Sequence, residues 1–176
     1  RLGIDFFRRD IDSVIVWNRG FDGLYRPVNF GREETRGRED FAMLTLWDSI
    51  SLRWSNTVLT AIHRSSDPAL DSLWLPYRPY YLQSFSISAE RWKTRLSLDG
   101  RMVGKRYLLP ANTKWTDPYQ LWNISISQSF AAGNWDVTPE LSCINLTDSD
   151  YRILDGYPMP GRSFRLEVDF EYGKNE

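Results

Sequence analysis

Cysteine and histidine are nearly missing from this chain. Cys143 and His63 are the sole examples among 176 residues. One thiol forms no internal disulfide, which excludes a disulfide-built scaffold. One Cys and one His do not supply an ordinary zinc ligand set, so no metal and no cofactor are expected. There is no uncharged apolar run of the ~20 residues that a spanning helix needs. No excess of one charge is present either: 22 Lys and Arg meet 23 Asp and Glu, for a net charge of −1. That balance argues against nucleic acid as a partner. His63 has no Gly-x-Ser-x-Gly elbow to serve, no nucleophile–base pair can be drawn, and catalytic residues are not expected. The pairs Glu33-Glu34 and Asp148/Asp150 fit glycoside or calcium chemistry in type. Both stand at loop margins, where solvated charge is the simpler reading.

Aromatic side chains, in contrast, are abundant: eight Trp, nine Tyr and nine Phe, or 15% of the chain. Apolar residues recur at every second position in about eight segments. In a strand that period puts alternate side chains on opposite faces. The clearest case is Phe164, Leu166, Val168, Phe170 and Tyr172, interleaved with Arg165, Glu167, Asp169 and Glu171. Between residues 119 and 130, Trp122, Ile124 and Ile126 stand against Asn123, Ser125 and Ser127. Residues 92–107 set Leu96, Leu98 and Met102 against Arg95, Ser97, Asp99 and Arg101. Residues 51–64 set Leu52, Trp54, Val58 and Ile62 against Arg53, Ser55, Thr57 and His63. The remaining segments are 2–19, 25–47, 80–90 and 135–146, the last with Cys143 on its apolar side as a small hydrophobe. Between Asp40 and Trp47 nearly every residue is apolar and the parity stays open.

Connections alternate in length. Short turns are expected near Trp47-Asp48-Ser49, Glu90-Arg91-Trp92 and Ala132-Gly133-Asn134. Long loops are expected at Gly20 to Leu24, Ser65 to Arg78, Leu108 to Pro118 and Thr147 to Arg162. Short–long alternation is the mark of an antiparallel up-and-down transmembrane β-barrel, and Greek-key sandwiches mix their connections less regularly. Trp47, Trp92, Trp135 and Tyr172 lie at the short turns. They form either a belt at lipid headgroups or the core anchors of a soluble fold, and the alternation favours the belt. The Asn-x-Ser/Thr triplets at Asn123 and Asn145 match a glycosylation pattern by chance, since both fall in expected strands.

Local motifs then carry a resemblance. Asn145-Leu146-Thr147-Asp148-Ser149-Asp150-Tyr151 is followed by Gly156-Tyr157-Pro158-Met159-Pro160-Gly161-Arg162. Upstream stand Leu75-Pro76-Tyr77-Arg78-Pro79, Gly100-Arg101-Met102-Val103-Gly104-Lys105-Arg106-Tyr107, Tyr25-Arg26-Pro27-Val28-Asn29 and Thr35-Arg36-Gly37-Arg38-Glu39. In order and spacing these resemble the C-terminal third of the barrel of TonB-dependent outer-membrane receptors. The family's Phe in Asn-Leu-Phe-Asp is Thr147 here, and the chain runs past Tyr172 through Gly173 to Glu176.

The resemblance implies that residues 1–176 are the C-terminal portion of a barrel of about 22 strands. The plug domain and energy-coupling box are outside this chain. A start at Arg1 suggests a processed product, a fragment or one part of a larger assembly. The first and eighth strands are expected to pair with strands of the same or another chain, because open edges in lipid are costly. The apolar set Phe164, Leu166, Val168, Phe170, Tyr172, Trp122, Ile124 and Ile126 would face lipid. Arg53, Arg95, Asp99, Arg101, Arg165, Glu167, Asp169 and Glu171 would face the lumen, where they either dock the plug or line a wet wall. Trp74, Trp115, Tyr151 and Tyr157 are the implied ligand contacts in the long loops. The implied role is uptake of a scarce bulky solute such as a siderophore, cobalamin or an oligosaccharide, with an energy-coupling complex as indirect partner. A non-transporting structural component of an outer-membrane complex and a soluble carbohydrate-binding β-sandwich are the alternatives.

Overall fold

The computed structural model describes residues 1–20, 22–29, 31–69 and 71–173. The side chains of Val28 and Asn29 and the tail at 174–176, all named above, lie outside the described residues. The strands are β1 (Leu2–Ile11), β2 (Ile15–Arg19), β3 (Tyr25–Asn29), β4 (Arg32–Leu46), β5 (Ile50–Arg64), β6 (Tyr81–Arg91), β7 (Thr94–Val103), β8 (Arg106–Tyr107), β9 (Trp115–Thr116), β10 (Tyr119–Gln128), β11 (Phe130–Ala132), β12 (Trp135–Ile144), β13 (Arg152–Leu154), β14 (Tyr157–Pro158) and β15 (Ser163–Tyr172). No helix occurs among the described residues.

One antiparallel sheet contains β1, β4, β5, β6, β7, β10, β12 and β15 in that order, with β11 also paired to β12. β10 and β11 are one strand with a break. The break falls opposite Pro139 of β12, which has no N–H to give the ladder. β2–β3, β8–β9 and β13–β14 are small separate hairpins in the connections. Each wall strand pairs with its predecessor, so this is an up-and-down meander. Among the described residues, β1 and β15 do not pair with each other. The sheet is open, and closure of this chain into an eight-stranded barrel does not occur.

Registers carry the alternation across the wall. One row reads Leu44, Leu52, Ile87, Leu98, Ile124, Cys143 and Phe164 from β4 to β15. The open parity of β4 is decided here: Ala42, Leu44 and Leu46 share the apolar face, while Phe41, Met43 and Thr45 share the other. The apolar band also steps diagonally across the hydrogen-bonded rows. On β1 it comprises Leu2, Ile4 and Phe6, which stand opposite Ala42, Asp40 and Arg38. On β12 and β15 it runs the other way, to Trp135 and Tyr172. Strands tilted in a barrel require such a stagger if the band is to stay level.

Among the described residues no second layer covers the sheet. Leu166 is 70% exposed and Phe170 65%. Among the described residues the buried apolar ones are Ala61, Ile62, Leu75, Val103, Leu108 and Cys143, most of them under the loops. A sandwich needs two packed sheets, so the sandwich alternative lacks its core.

The short turns meet at one end. Trp47 and Asp48 have φ of 50° and 54°, and Trp92 and Lys93 have 53° and 61°, the values of type I′ hairpins. Gly133, at 65°, makes the third turn. Trp in the left-handed region is unfavourable. Its use at two turns places rings at the rim, with Arg91 stacked 4.0 Å from the Trp92 ring centroid. Trp135 and Tyr172 meet edge-on at 4.9 Å beside the third turn.

Two expectations change. Gly20 to Leu24 is no long loop but the tip of the β2–β3 hairpin, closed by Gly20 N–H to the Leu24 carbonyl at 2.9 Å. Glu33 and Glu34 are not solvated loop charges. They sit inside β4, 8% and 7% exposed, because β5 runs beside them: Arg64 Nε donates to Glu34 at 2.8 Å and Thr35 to Glu33 at 2.8 Å.

Candidate functional site

The polar face carries charge that has no partner among the described residues. Arg53, opposite Met43 and Ser86, has no hydrogen bond or ion pair among the described residues. The same holds for Asp99, opposite Ser86 and Asn123, and for Arg101, opposite Ser84 and Leu121. Phe41 and Met43 stand next to them on this face and form one concave surface with them. Farther along, Arg165 reaches Glu167 at 3.6 Å, while Asp169 and Glu171 find no partner among the described residues. β12 puts Asp136 opposite Glu171 and Glu140 opposite Glu167. Like charges directly opposite are unfavourable. Arg95 alone of the predicted set is well paired, 2.7 Å from Glu90.

Several charges outside the apolar band are paired. Arg8 pairs with Asp10 at 3.2 Å, Arg38 with Asp40 at 3.0 Å, and Arg64 with Glu34 at 2.8 Å. On the long ends of β4 and β5, Arg38 and Asp40, and Arg64 and Glu34, thus pair within the chain, whereas Arg36 and Glu39 of β4, like Arg53, Asp99 and Arg101, have no partner among the described residues.

At the opposite end from the short turns, the long loops are tied together. The segment after β5 folds back on it: Leu75 N–H donates to the Ala61 carbonyl at 2.9 Å and His63 N–H to Leu73 at 2.7 Å. His63 is buried there, opposite Glu33. Asp71 accepts the Ser65 N–H at 3.0 Å and the Ser72 hydroxyl at 2.9 Å. Those two donors, with a further contribution from Arg64, hold its carboxyl below the usual range against the opposing effect of burial. Asn112, at φ 55°, bonds the Trp74 main chain across the two loops. Lys114 joins Asp155 at 2.5 Å, and the Tyr119 and Tyr151 rings lie 5.0 Å apart.

The result is a cleft lined by Lys114, Trp115, Asp117, Tyr119, Asp150, Tyr151, Arg152 and Asp155. Lys105 Nζ lies 4.1 Å from the centre of Trp115. Asp117 and Asp150 have no partner among the described residues. Rings for stacking beside open carboxylates and an arginine suit a bulky polar solute. Among the described residues no cluster has the makings of a metal site.

Of the four predicted loop contacts, Trp115 and Tyr151 line this cleft. Trp74 does not line it: it packs edge-on against Tyr80 at 5.9 Å and reaches the neighbouring loop through Asn112. Tyr157 is 68% exposed on the β13–β14 hairpin and stands apart from the cleft. The eight predicted apolar residues share one face, and the eight predicted charged residues share the other. Sequence reasoning missed Asn112, Lys114 and Arg152, which had no periodic signal, and Tyr119, which was read only as the start of a strand.

The Asn-Leu-x-Asp and Pro-Gly-Arg motifs have a joint physical role. Asn145 is not in a strand; it turns the chain at φ 53° and is 2% exposed. Its side chain bonds the Ser149 N–H and carbonyl at 2.9 and 3.0 Å, and its N–H donates to Asn123 at 2.9 Å. Asp148 then accepts the Arg162 N–H at 2.7 Å. A Cβ at Gly161 would lie 2.7 Å from that carboxylate, so a larger residue there has to displace it.

Comparison with known proteins agrees with this architecture. Residues 1–146 match the model of the TonB-dependent receptor-like β-barrel. The ferric preacinetobactin receptor of Acinetobacter baumannii is similar over 96% of this chain and 27% of its own, with TM-score 0.76 and 18% identity. The ferric yersiniabactin uptake receptor of Yersinia pestis matches over 96% and 25%, at 0.72 and 19%. A copper transporter, OprC, matches over 96% and 28%, at 0.74 and 18%. The chain thus spans about a quarter of the length of these structures. With the family model covering most of the chain and the open meander beneath it, this chain belongs to the TonB-dependent receptor β-barrel family, proteins of the bacterial outer membrane.

Proposed function

We propose that residues 1–176 are the C-terminal wall of a receptor that takes up a scarce bulky solute with energy from a TonB-type complex, the plug lying elsewhere in the same or a separate chain. The apolar face, including Phe164, Leu166, Val168, Phe170, Tyr172, Trp122, Ile124 and Ile126, meets hydrocarbon. The polar face lines the lumen. β1 and β15 pair with the remaining strands of a barrel of about 22. The cleft around Trp115 and Tyr151 contacts the solute, a siderophore, cobalamin or oligosaccharide.

One observation supports the reading: among the described residues Arg53, Asp99 and Arg101 have no partner, and they share one concave surface with Phe41 and exposed Met43. A purely wet wall has no use for Phe41 and Met43. A folded plug bearing both charge signs and an apolar patch matches all five. Charge reversal at Arg101 and Asp99 in the receptor that carries this segment is the test. The barrel should assemble normally, lose plug retention in detergent pull-downs and lose uptake; unchanged retention and uptake remove the docking role.

A further inference from the structure

On the apolar face, Trp54, Phe85, Gly100 and Trp122 form one cross-strand row over β5, β6, β7 and β10. Gly100 leaves a step in it. Trp122 leans over that step, so close that a Cβ on Gly100 would sit 2.5 Å from the ring. Phe85 meets Trp122 edge-on at 6.3 Å. With Met102 these side chains bound an apolar hollow whose rim is Gln83.

Gln83 ends a polarised chain in the next row. Arg38 and Asn56 Nδ2 both donate to Asp40 Oδ2, at 3.1 and 2.9 Å. The carboxylate therefore orients the Asn56 amide, whose Oδ1 is turned to accept from Gln83 Nε2 at 3.1 Å. That in turn orients Gln83 and leaves its Oε1 as the open end. Among the described residues this oxygen accepts nothing. An unmet acceptor beside hydrocarbon is costly.

We propose that the hollow holds one acyl chain of an outer-membrane lipid, and that a hydroxyl on this chain donates to Gln83 Oε1. The proposal rests on the reading that this face meets hydrocarbon. Its selectivity follows from charge. Arg38 and Asp40 neutralise each other, so a phosphate or an amine finds no counter-ion in the row. What is left open is a neutral acceptor at the mouth of an aromatic trough, which selects a neutral donor carried on a methylene chain.

The test uses the receptor that carries this segment, with two matched synthetic phosphatidylcholines, one bearing a 3-hydroxymyristoyl chain and one a plain myristoyl chain. Native mass spectrometry of wild type should show the hydroxylated lipid retained about tenfold better, the scale of one added hydrogen bond. Gln83→Leu should abolish that preference and keep the plain lipid bound. Gly100→Ala, which drives a methyl into the Trp122 ring, should weaken both. Should Gln83→Leu fail to assemble, Gln83→Met removes the same acceptor. Equal retention of the two lipids by wild type, or a preference that survives loss of Gln83, overturns the site. Quenching of tryptophan emission by brominated-chain lipids separates the two readings. If wild type is not quenched, the face does not meet hydrocarbon. If it is quenched without a hydroxyl preference, the lipid site alone falls.

Discussion

The carboxamide of Asn112 bridges the main chain of Trp74 in both directions. Trp74 N–H donates to Asn112 Oδ1 at 2.8 Å, and Asn112 Nδ2 donates to the Trp74 carbonyl at 2.8 Å. Two loops 38 residues apart are thereby read as one surface.

Asn112→Ala should untie them. Both main-chain groups of Trp74 lose their partner, a local loss of about 1–3 kcal/mol. Amide hydrogen exchange should speed up at 72–75 and 108–114, with the wall strands unaffected. Unchanged exchange in those loops contradicts a coupling role. Solute affinity should fall with the loop order.

Leu166→Arg and Asp169→Leu probe the two faces of one strand. If Leu166 meets hydrocarbon, the arginine should cost about 2–4 kcal/mol in urea unfolding from lipid vesicles. Replacing Asp169 should change stability little, because it has no partner among the described residues. Equal effects at the two positions would mean that both faces share one environment.

Gly161→Ala should displace the Asp148 carboxylate from the Arg162 N–H. Hydrogen bonds to charged groups contribute about 1.5–3 kcal/mol. Asp148→Ala should lose the same bond, and the double variant should be no worse than either single one. Additive losses would show that the two residues act separately.

Trp92→Asn should ease the left-handed turn by about 1 kcal/mol, since Asn tolerates that region better. In bilayers the lost ring anchor should outweigh this gain, and in detergent it should not. Unfolding midpoints in the two media should therefore shift in opposite directions; shifts of one sign in both argue against an interfacial role.

The Asp71 turn should respond to acid. Its folded pKa lies below the ordinary 3.8, so its contribution is complete above that value and fades as pH falls through the depressed one. Exchange protection near Ser65 and Ser72 should hold between about pH 8 and 5 and drop below about 4. Asp71→Asn should remove this dependence.

Much of the wall was legible because period two is a local property. Phe164 to Tyr172 needs no partner to divide into an oily and a charged side, and the same holds for Arg95 to Met102. The run from Asp40 to Leu46 was illegible for the complementary reason: both parities are apolar, and only the register of Leu44 against Leu52 selects a face. Glu33 and Glu34 read as solvated charges because Arg64, their neighbour across the hairpin, is 30 residues from Glu34 in the chain.

What the amino-acid order determined alone was the core of the eight wall strands, their two-sidedness and the alternation of short and long connections. These follow from side chains that lie next to one another in the chain. Tertiary structure decided the stagger of the apolar band, the unused charges at Arg53, Asp99 and Arg101, and the cleft that brings Trp115 to Tyr151. Each of these depends on which residues face one another across strands and loops, a relation fixed only when the backbone hydrogen bonds choose a register.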